Sequence, residues 1–247
     1  CGYYWWIGSN YKGTMEIKKI IIILLIAYVC PNEFLEYQVT LYGIPMAKVN
    51  MEFKDTAYTD TEAMALYFKT STNNIISQFF KVDNKYQTII EKNNLDIMSF
   101  KKITYQPNVS NEISTFTKNK DILYQGTNIL IPKQHFNIFS LLYYLSVTSF
   151  DEIKSEVDLE REGLIYKCII KKKKKNGLYE FELEFELVKD SHAISVFENT
   201  DIFTWGLFRT DAKNKIIINP SLNQITQCTF SVGFSKLEAK IKRPLSK

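Results

Sequence analysis

The chain has 247 residues, 31 of them basic and 27 acidic, which leaves a formal net charge of +4 at pH 7. An excess this small gives no indication of nucleic acid or of a strongly acidic partner. The length is enough for one large domain with a true hydrophobic core or for two small ones.

An apolar run of ten residues, Ile20 to Val29, is the first element along the chain, and Lys18 and Lys19 precede it. It is too short to cross a bilayer, which takes roughly 20 apolar residues, but it fits the core of a secretory signal peptide. Met15 is correctly placed to start such a signal. We therefore predict upstream translated residues over 1–14, a signal peptide over 15–30 and a single β-rich domain over 31–247. A buried strand or helix behind a true N-terminal extension is the alternative.

The signal peptide predicts export to the periplasm, although its cleavage point is poorly defined. Tyr28 and Val29 stand before Cys30, where small residues are preferred. A lipidated Cys30 would instead make the chain an outer-membrane lipoprotein, and we expect membrane contact only through the leader or that lipid. Beyond the leader, Cys168 and Cys228 could form one disulfide or serve as small buried hydrophobes.

Short alternating segments fill the rest of the chain. After a turn at Gly43-Ile44-Pro45, the apolar residues Ala47, Val49, Met51 and Phe53 alternate with polar ones. A period of two is typical of a half-buried antiparallel strand. Similar segments lie near 34–41, 63–69, 84–90, 97–105, 112–118, 121–126, 153–159, 164–174, 178–188, 193–197, 202–209, 215–219, 224–232 and 234–242.

Two stretches depart from this alternation. Asn73 to Phe80 predicts a short helical turn. A helix with one buried stripe is predicted by the spacing of Ile138, Leu141, Leu142 and Leu145. Because no Pro- or Ser-rich linker interrupts the chain, we predict one all-β domain: a strongly curved antiparallel sheet or incomplete β-barrel with one or two short helices.

The most informative segment is "YKCIIKKKKKNGLYEFELEFELV", whose five consecutive lysines resemble a basic ligand patch. Asn176-Gly177 is a strong signal for a two-residue hairpin turn, because both positions need positive φ. Folding there pairs Lys173 with Glu180, Lys171 with Glu182, Lys167 with Glu186, Lys172 with Phe181, Ile170 with Leu183, Cys168 with Phe185 and Tyr166 with Leu187. One register thus satisfies a charge ladder and an apolar stripe, which favours a solvated face over a ligand patch.

Catalytic and metal-binding motifs are not found. His135 and His192 lack the spacing of an HExxH zinc site, and no GxSxG, GxGxxG or GxxxxGK[ST] motif occurs. The late cysteines have no CxxC spacing. We therefore expect no cofactor, metal or catalytic residue, which favours a non-enzymatic role. A Tyr/Lys/His site for carbohydrate chemistry, assembled from distant residues, is the open alternative.

Four segments resemble a known bacterial family, the domain of unknown function 3108. They are "LEYQVTLYGIPMAKVNMEF", "FFKVDNKYQTIIEKNNLDIMSFKK", "FNIFSLLYYL" and "KIIINPSLNQITQCTFSVGFSKLEAKI", and they span about residues 33–242. The chain departs from the family pattern at Met46-Ala47, where a small-Gly pair is common, and at Ser146, where an Arg is common. The resemblance implies a β-rich fold exported to the Gram-negative cell envelope, with no established activity.

Our leading functional hypothesis is a non-enzymatic binder of a lipid, an acyl chain or a lipoprotein segment, because an open curved sheet has an apolar concave face that must be covered. The candidate ligand-lining residues are Val49, Met51, Phe53, Phe181, Leu183 and Phe185. These residues could equally form a closed core. A carbohydrate-active enzyme or polysaccharide-binding module is one alternative, and an envelope scaffold without a small ligand is another.

Overall fold

Fourteen antiparallel strands form one sheet in the computed structural model, which describes residues 33–188 and 200–243. The strands are β1 (Glu33–Leu41), β2 (Ile44–Tyr58), β3 (Thr61–Thr72), β4 (Asp83–Glu91), β5 (Ile97–Gln106), β6 (Val109–Lys118), β7 (Asp121–Tyr124), β8 (Leu130–Pro132), β9 (Glu156–Arg161), β10 (Leu164–Lys175), β11 (Leu178–Leu187), β12 (Lys213–Asn219), β13 (Gln224–Val232) and β14 (Ser235–Arg243). Two helices, α1 (Ile138–Val147) and α2 (Ile202–Leu207), and a 3₁₀ turn (Ile76–Gln78) accompany them. The predicted signal peptide, the strand predicted at 193–197 and His192 lie outside the described residues.

The first and last strands meet in the middle of the sheet. The strand order is β8-β7-β6-β5-β4-β3-β2-β1-β14-β13-β12-β11-β10-β9. Val39 lies opposite Ala239 where β1 pairs with β14, and the other neighbours follow one another along the chain. The two edge strands, β8 and β9, are therefore connected through α1.

One backbone contact brings these two edges together. Phe136, which follows β8, forms a parallel bridge with Leu159 of β9, and the Glu160 amide donates to the Phe136 carbonyl at 2.9 Å. Among the described strands, β8 and β9 do not pair with each other, so the sheet stays open between its edges. The prediction of a strongly curved sheet or incomplete barrel with short helices is confirmed.

Helix α1 fills the interior that the curved sheet encloses. Its predicted stripe of Ile138, Leu141, Leu142 and Leu145 is buried, as expected. The Asn137 side chain accepts from the Ser140 amide at 2.9 Å, and the Ser140 hydroxyl accepts from the Asn137 amide at 3.0 Å, so the first turn is capped reciprocally. Phe139 packs against the sheet, with ring centroids 4.7 Å from Phe68 and 4.6 Å from Tyr86.

The prediction of a strand at 202–209 is wrong, because Ile202–Leu207 form helix α2. Asp201 caps the helix: its carboxylate accepts from the Thr204 amide at 2.9 Å and from the Thr204 hydroxyl at 2.6 Å. An Asp cap satisfies backbone donors that a strand would have to pair with a neighbour. The alternating pattern alone did not reveal this competing local interaction.

The predicted register of the β10–β11 hairpin is confirmed. Lys171 lies opposite Glu182 and Cys168 opposite Phe185, around the Asn176-Gly177 turn with φ of 50° and 75°. The Lys171 ammonium, however, bonds the diagonal Glu184 carboxylate at 2.5 Å. Diagonal neighbours are within reach of long side chains. Lys167 bonds Glu156 of β9 at 2.8 Å, and Glu180 bonds Lys215 of β12 at 2.9 Å, so these charges pair diagonally or with a neighbouring strand. Cys168 and Cys228 are free thiols.

Candidate functional site

The six predicted ligand-lining residues lie on the inward face of the sheet, in one hydrophobic core. Met51, Phe181, Leu183 and Phe185 are buried, while Val49 and Phe53 are half-buried against the same core. Aromatic rings fill the space beside them: Tyr143 lies 5.1 Å from Phe53 and Phe208 lies 4.6 Å from Phe185, between ring centroids. The structure thus brings the two predicted stripes together, and their ligand-lining role stays a prediction.

An accessible groove of about 470 Å³ lies on the opposite face of the sheet, across β1 to β5. We call it the outer groove. Two rows of outward side chains form it through consecutive cross-strand pairs. One row runs Phe34, Glu52, Tyr67, Gln87, Lys101, and the other runs Asn50, Lys69, Lys85, Ile103.

The apolar part of the outer groove comes from residues that break the polar pattern of this face. Phe34 is 52% exposed and stands at the first strand, while Tyr67 and Ile103 lie on β3 and β5. Each occupies an outward position, where a half-buried strand usually carries a polar side chain. An aromatic or branched residue out of phase with the inward stripe is therefore the sequence signal for this site, and the alternating pattern of inward residues does not include it.

Three lysines and one carboxylate, Glu52, give the groove its charge, and Glu52 lies 2.9 Å from the Lys54 ammonium, which does not line the groove. Lys69 lies 3.4 Å from an Asp83 carboxylate oxygen, and Lys101 lies 2.7 Å from one of Glu112. Lys85 has no ion-pair partner among the described residues, and it lies between Lys69 and Ile103 in its row. Within the described ranges, the groove therefore offers an apolar surface beside a lysine, Lys85, that forms no ion pair.

A second polar constellation, the buried ionic cluster, lies inside the curved sheet. It consists of Lys102 on β5, Glu162 in the β9–β10 turn and Asp201 at the start of α2. The Lys102 ammonium contacts the Glu162 carboxylate and lies 2.6 Å from an Asp201 oxygen. Its side chain is 1% exposed, so the charges are fully withdrawn from water.

Asp201 has a complete set of partners within this cluster. One carboxylate oxygen, Oδ2, contacts the Lys102 ammonium and the Thr204 hydroxyl. The other, Oδ1, accepts from the Tyr86 hydroxyl at 2.8 Å. Burial alone would raise the pKa of the Asp201 carboxyl, but the Lys102 ammonium and the Thr204 hydrogen bonds hold that pKa below its usual value. Asp201 is thus an ionised carboxylate that ties α2 to the sheet.

A neighbouring carboxyl group behaves differently. Glu160 accepts from the Gly163 amide at 2.9 Å and from the Tyr124 hydroxyl, and it is buried. Burial raises the pKa of Glu160 above its usual value. The cavity beside Glu160 and Lys102 measures about 20 Å³, which is room for roughly one water molecule. This cavity therefore has no space for a substrate, and the buried ionic cluster joins β4, β5, the β9–β10 turn and α2.

A comparison with solved structures finds the same kind of fold. The chain is similar to the crystal structure of a β-barrel-like protein of domain of unknown function DUF1849 from Brucella abortus. The TM-score is 0.52 at 9% sequence identity, over 85% of this chain and 95% of that one. At this identity the likeness shows the fold alone. No protein-family model matches the chain, and no curated protein matches it.

His135, considered above for a carbohydrate site, lies on the surface. Its side chain is 70% exposed, and its Nδ1 contacts Asp96, which also bonds the Lys133 ammonium at 2.5 Å. Burial would raise the pKa of Asp96, but these two partners lower it below its usual value.

In the ranges 33–188 and 200–243, no cluster of potential metal ligands occurs. Within those same ranges, no helix has both the length and the apolar character needed to cross a bilayer.

Proposed function

We propose that the protein is a non-enzymatic binder of an amphiphilic molecule, with an acyl chain held in the outer groove. The observation that carries this proposal is the groove itself: a volume of about 470 Å³ lined by Phe34, Tyr67 and Ile103. Ligand sites in proteins typically measure about 300–1,000 Å³ and combine an apolar lining with a few placed polar groups. The outer groove meets both conditions.

The charge in the groove indicates the head group of the ligand. Lys85 has no ion-pair partner among the described residues and stands beside the apolar surface. A carboxylate or phosphate head would therefore find a cation there without displacing an existing ion pair. This favours an ionised amphiphile, such as a fatty acid, over an uncharged one.

The interior supports a binding role rather than a catalytic one. Tyr86, Lys102 and Asp201 converge there, but they bond to one another and leave a cavity of about 20 Å³. A general acid or base must reach the reacting group of its substrate within hydrogen-bonding distance. These groups are occupied by internal partners in a space that admits no substrate.

The export and family assignments belong to the same proposal. Lys18, Lys19 and the apolar run after them support export to the periplasm, and the four resembling segments support membership of the domain of unknown function 3108 family. Expression from Met15 should yield a periplasmic product shortened by about 12–20 residues, the usual range for a signal peptide. A full-length product in the cytosol would contradict export.

Binding is tested with an environment-sensitive fluorescent fatty acid. The wild type should bind it saturably, and Lys85→Glu should weaken binding by about tenfold, because the new carboxylate repels the ligand head. Lys175→Glu is the matched control, since Lys175 is an exposed lysine on β10, outside the groove. This control should bind as the wild type does.

The charge of the ligand head group is tested by competition. A fatty acid should displace the probe more effectively than the alcohol of equal length, because only the acid is ionised.

The two alternative functions, a scaffold and a polysaccharide-binding module, give different outcomes. A protein that never binds the probe saturably would exclude the proposal and leave the scaffold. Displacement by an oligosaccharide instead of a fatty acid would favour the polysaccharide-binding module.

A further inference from the structure

Exposed apolar side chains gather at one end of the sheet. Because neighbouring strands are antiparallel, the β1–β2 turn, the β3–β4 loop and the β13–β14 turn all lie at the same end. We call their exposed apolar side chains the apolar rim: Tyr42, Ile44, Ile75, Phe79, Phe80 and Phe234. Phe234 is 99% exposed and Phe79 is 85% exposed. Turns are usually built from Gly, Pro, Asn, Asp and Ser, so large apolar residues at their tips need an explanation.

Hydrogen bonds hold the three turns of the rim together. The Tyr42 hydroxyl donates to the Phe234 carbonyl at 2.7 Å, which joins the first and last hairpins. The Asn73 side chain donates to the Pro45 carbonyl at 2.6 Å, and the Asn73 amide donates to the Met46 carbonyl at 3.0 Å. The rim is therefore one preformed surface rather than three independent loops.

The opposite end of the sheet has a different character. Its turns are Thr59-Asp60, Lys92–Asp96, Asn119-Lys120, Asn176-Gly177 and Pro220–Asn223, which are mainly polar. The three rim segments, 42–43, 73–82 and 233–234, contain no carboxylate and one charged residue, Lys81. Lys81 lies over the Tyr105 ring at 5.2 Å from its centroid. The Pro107-Asn108 and Glu162-Gly163 turns lie at the same end of the sheet as the rim and are polar. The exposed apolar surface of the described turns at this end is therefore confined to the three rim segments, with Lys81 beside it.

We propose that the apolar rim docks the protein onto the surface of a bilayer that contains anionic lipid. Protruding side chains such as Phe234 and Phe79 suit a lipid interface, which accepts apolar groups to a depth of about 5–10 Å. A protein interface of ordinary size takes about 800 Å² and roughly 20–30 residues on each side, whereas the apolar rim has six exposed apolar side chains. Tyr42 has the apolar ring and polar end common at membrane interfaces.

Charge supports the same occupant. A carboxylate at the rim would be repelled by anionic head groups, and the rim segments have none, whereas Lys81 would be attracted to them. The contact is peripheral and reversible. It adds to the membrane contact expected from the sequence, which was confined to the leader or a lipidated Cys30.

The test is flotation with vesicles of phosphatidylcholine, with and without phosphatidylglycerol. The reference protein and all variants carry Ile22→Asp, which interrupts the apolar run of the leader so that this run cannot act as a second membrane anchor. The reference protein should float with the anionic vesicles. Phe79→Ser/Phe234→Ser should reduce its partition coefficient by about a hundredfold, roughly tenfold for each aromatic side chain withdrawn from the lipid.

The matched control is Val147→Ser, an exposed apolar residue at the end of α1 and outside the rim. It should float like the reference protein. Circular dichroism should show all variants folded, since Phe79 and Phe234 are exposed. A reference protein that stays unbound, or a double variant that floats as well as the reference, would overturn the proposal. Equal flotation without phosphatidylglycerol would overturn the proposed preference for anionic lipid. A dimer that depends on the rim residues, with no flotation, would overturn bilayer docking and identify a second copy of the chain as the partner of the rim.

Discussion

Replacing Lys102 with Met would remove the cation of the buried ionic cluster while keeping most of the apolar stem. Asp201 is 0% exposed and Glu162 is 5% exposed, so both carboxylates would be left in the interior without their ammonium partner. Removing one member of a buried ion pair costs about 3–5 kcal/mol. A domain of ordinary stability has about 5–15 kcal/mol in total, so the variant should be severely destabilised.

Urea unfolding followed by circular dichroism measures this effect. With a slope of about 2 kcal/mol per molar urea, the unfolding midpoint should fall by roughly 2 M. Lys101→Met is the matched control, because Lys101 is the next residue on the same strand and faces outward. Its ion pair with Glu112 is about half exposed, and such pairs contribute about 0–1 kcal/mol.

The pH dependence gives a second check on the cause. The pKa of Asp201 is lowered in the folded wild type, so its contribution to stability is present above the unfolded pKa of about 4 and is lost as pH falls through the folded pKa. Without Lys102 the carboxyl can be buried only when neutral. The stability gap between the wild type and Lys102→Met should therefore narrow as the pH falls below about 4.

Two results would contradict a stabilising role of the Lys102 ammonium in the buried ionic cluster. If Lys102→Met were as mild as Lys101→Met, the cluster would not be the buried network that the structure shows. If the stability gap did not change with pH, unpaired carboxylates would not be its cause. A companion Lys102→Met/Asp201→Asn variant should recover part of the lost stability, since the amide needs no counter-charge.

Three further outcomes are expected. Leu183→Glu should unfold the protein, because Leu183 is 2% exposed in the core and a buried unpaired carboxylate is strongly disfavoured; a folded variant by circular dichroism would contradict the closed core. Gly177→Ala should lower the free energy of unfolding in urea by roughly 1–2 kcal/mol, because Gly177 has a φ of 75° that L-residues rarely adopt; an unchanged midpoint would count against the hairpin turn. The Cys168 thiol should stay unlabelled by thiol reagents until the protein unfolds, since burial raises its pKa to about 12; rapid labelling of the native protein would argue that the core opens.

Local patterns in the sequence were sufficient for the β10–β11 hairpin and for α1. Asn176-Gly177 and the alternating Lys and Glu residues allow one register only, because a one-residue slip would expose the apolar stripe. The stripe of α1 follows from a helical period that no strand shares. In both cases neighbouring residues along the chain carry the whole constraint.

The buried cluster and the outer groove depend on contacts between distant residues. Lys101 and Lys102 are adjacent lysines, and the sequence does not show which of them points inward. The pairing of β4 with β5 shifts by one residue between Ile89 and Ile90, and Lys102 is the buried one. Asp201 immediately precedes a segment, 202–209, whose pattern predicts a strand, and its partners Tyr86 and Lys102 come from β4 and β5. The groove escaped prediction because a period-of-two pattern assigns the outward face to water.

The most direct test of the proposed function is photo-crosslinking with a diazirine-labelled fatty acid, followed by peptide mass spectrometry. We expect saturable labels on peptides that contain Phe34, Tyr67 or Lys85, and loss of those labels when unlabelled fatty acid competes. Labels on Phe181 or Leu183 would place the ligand in the interior instead. Labelling that does not saturate at any position would contradict a specific binding site.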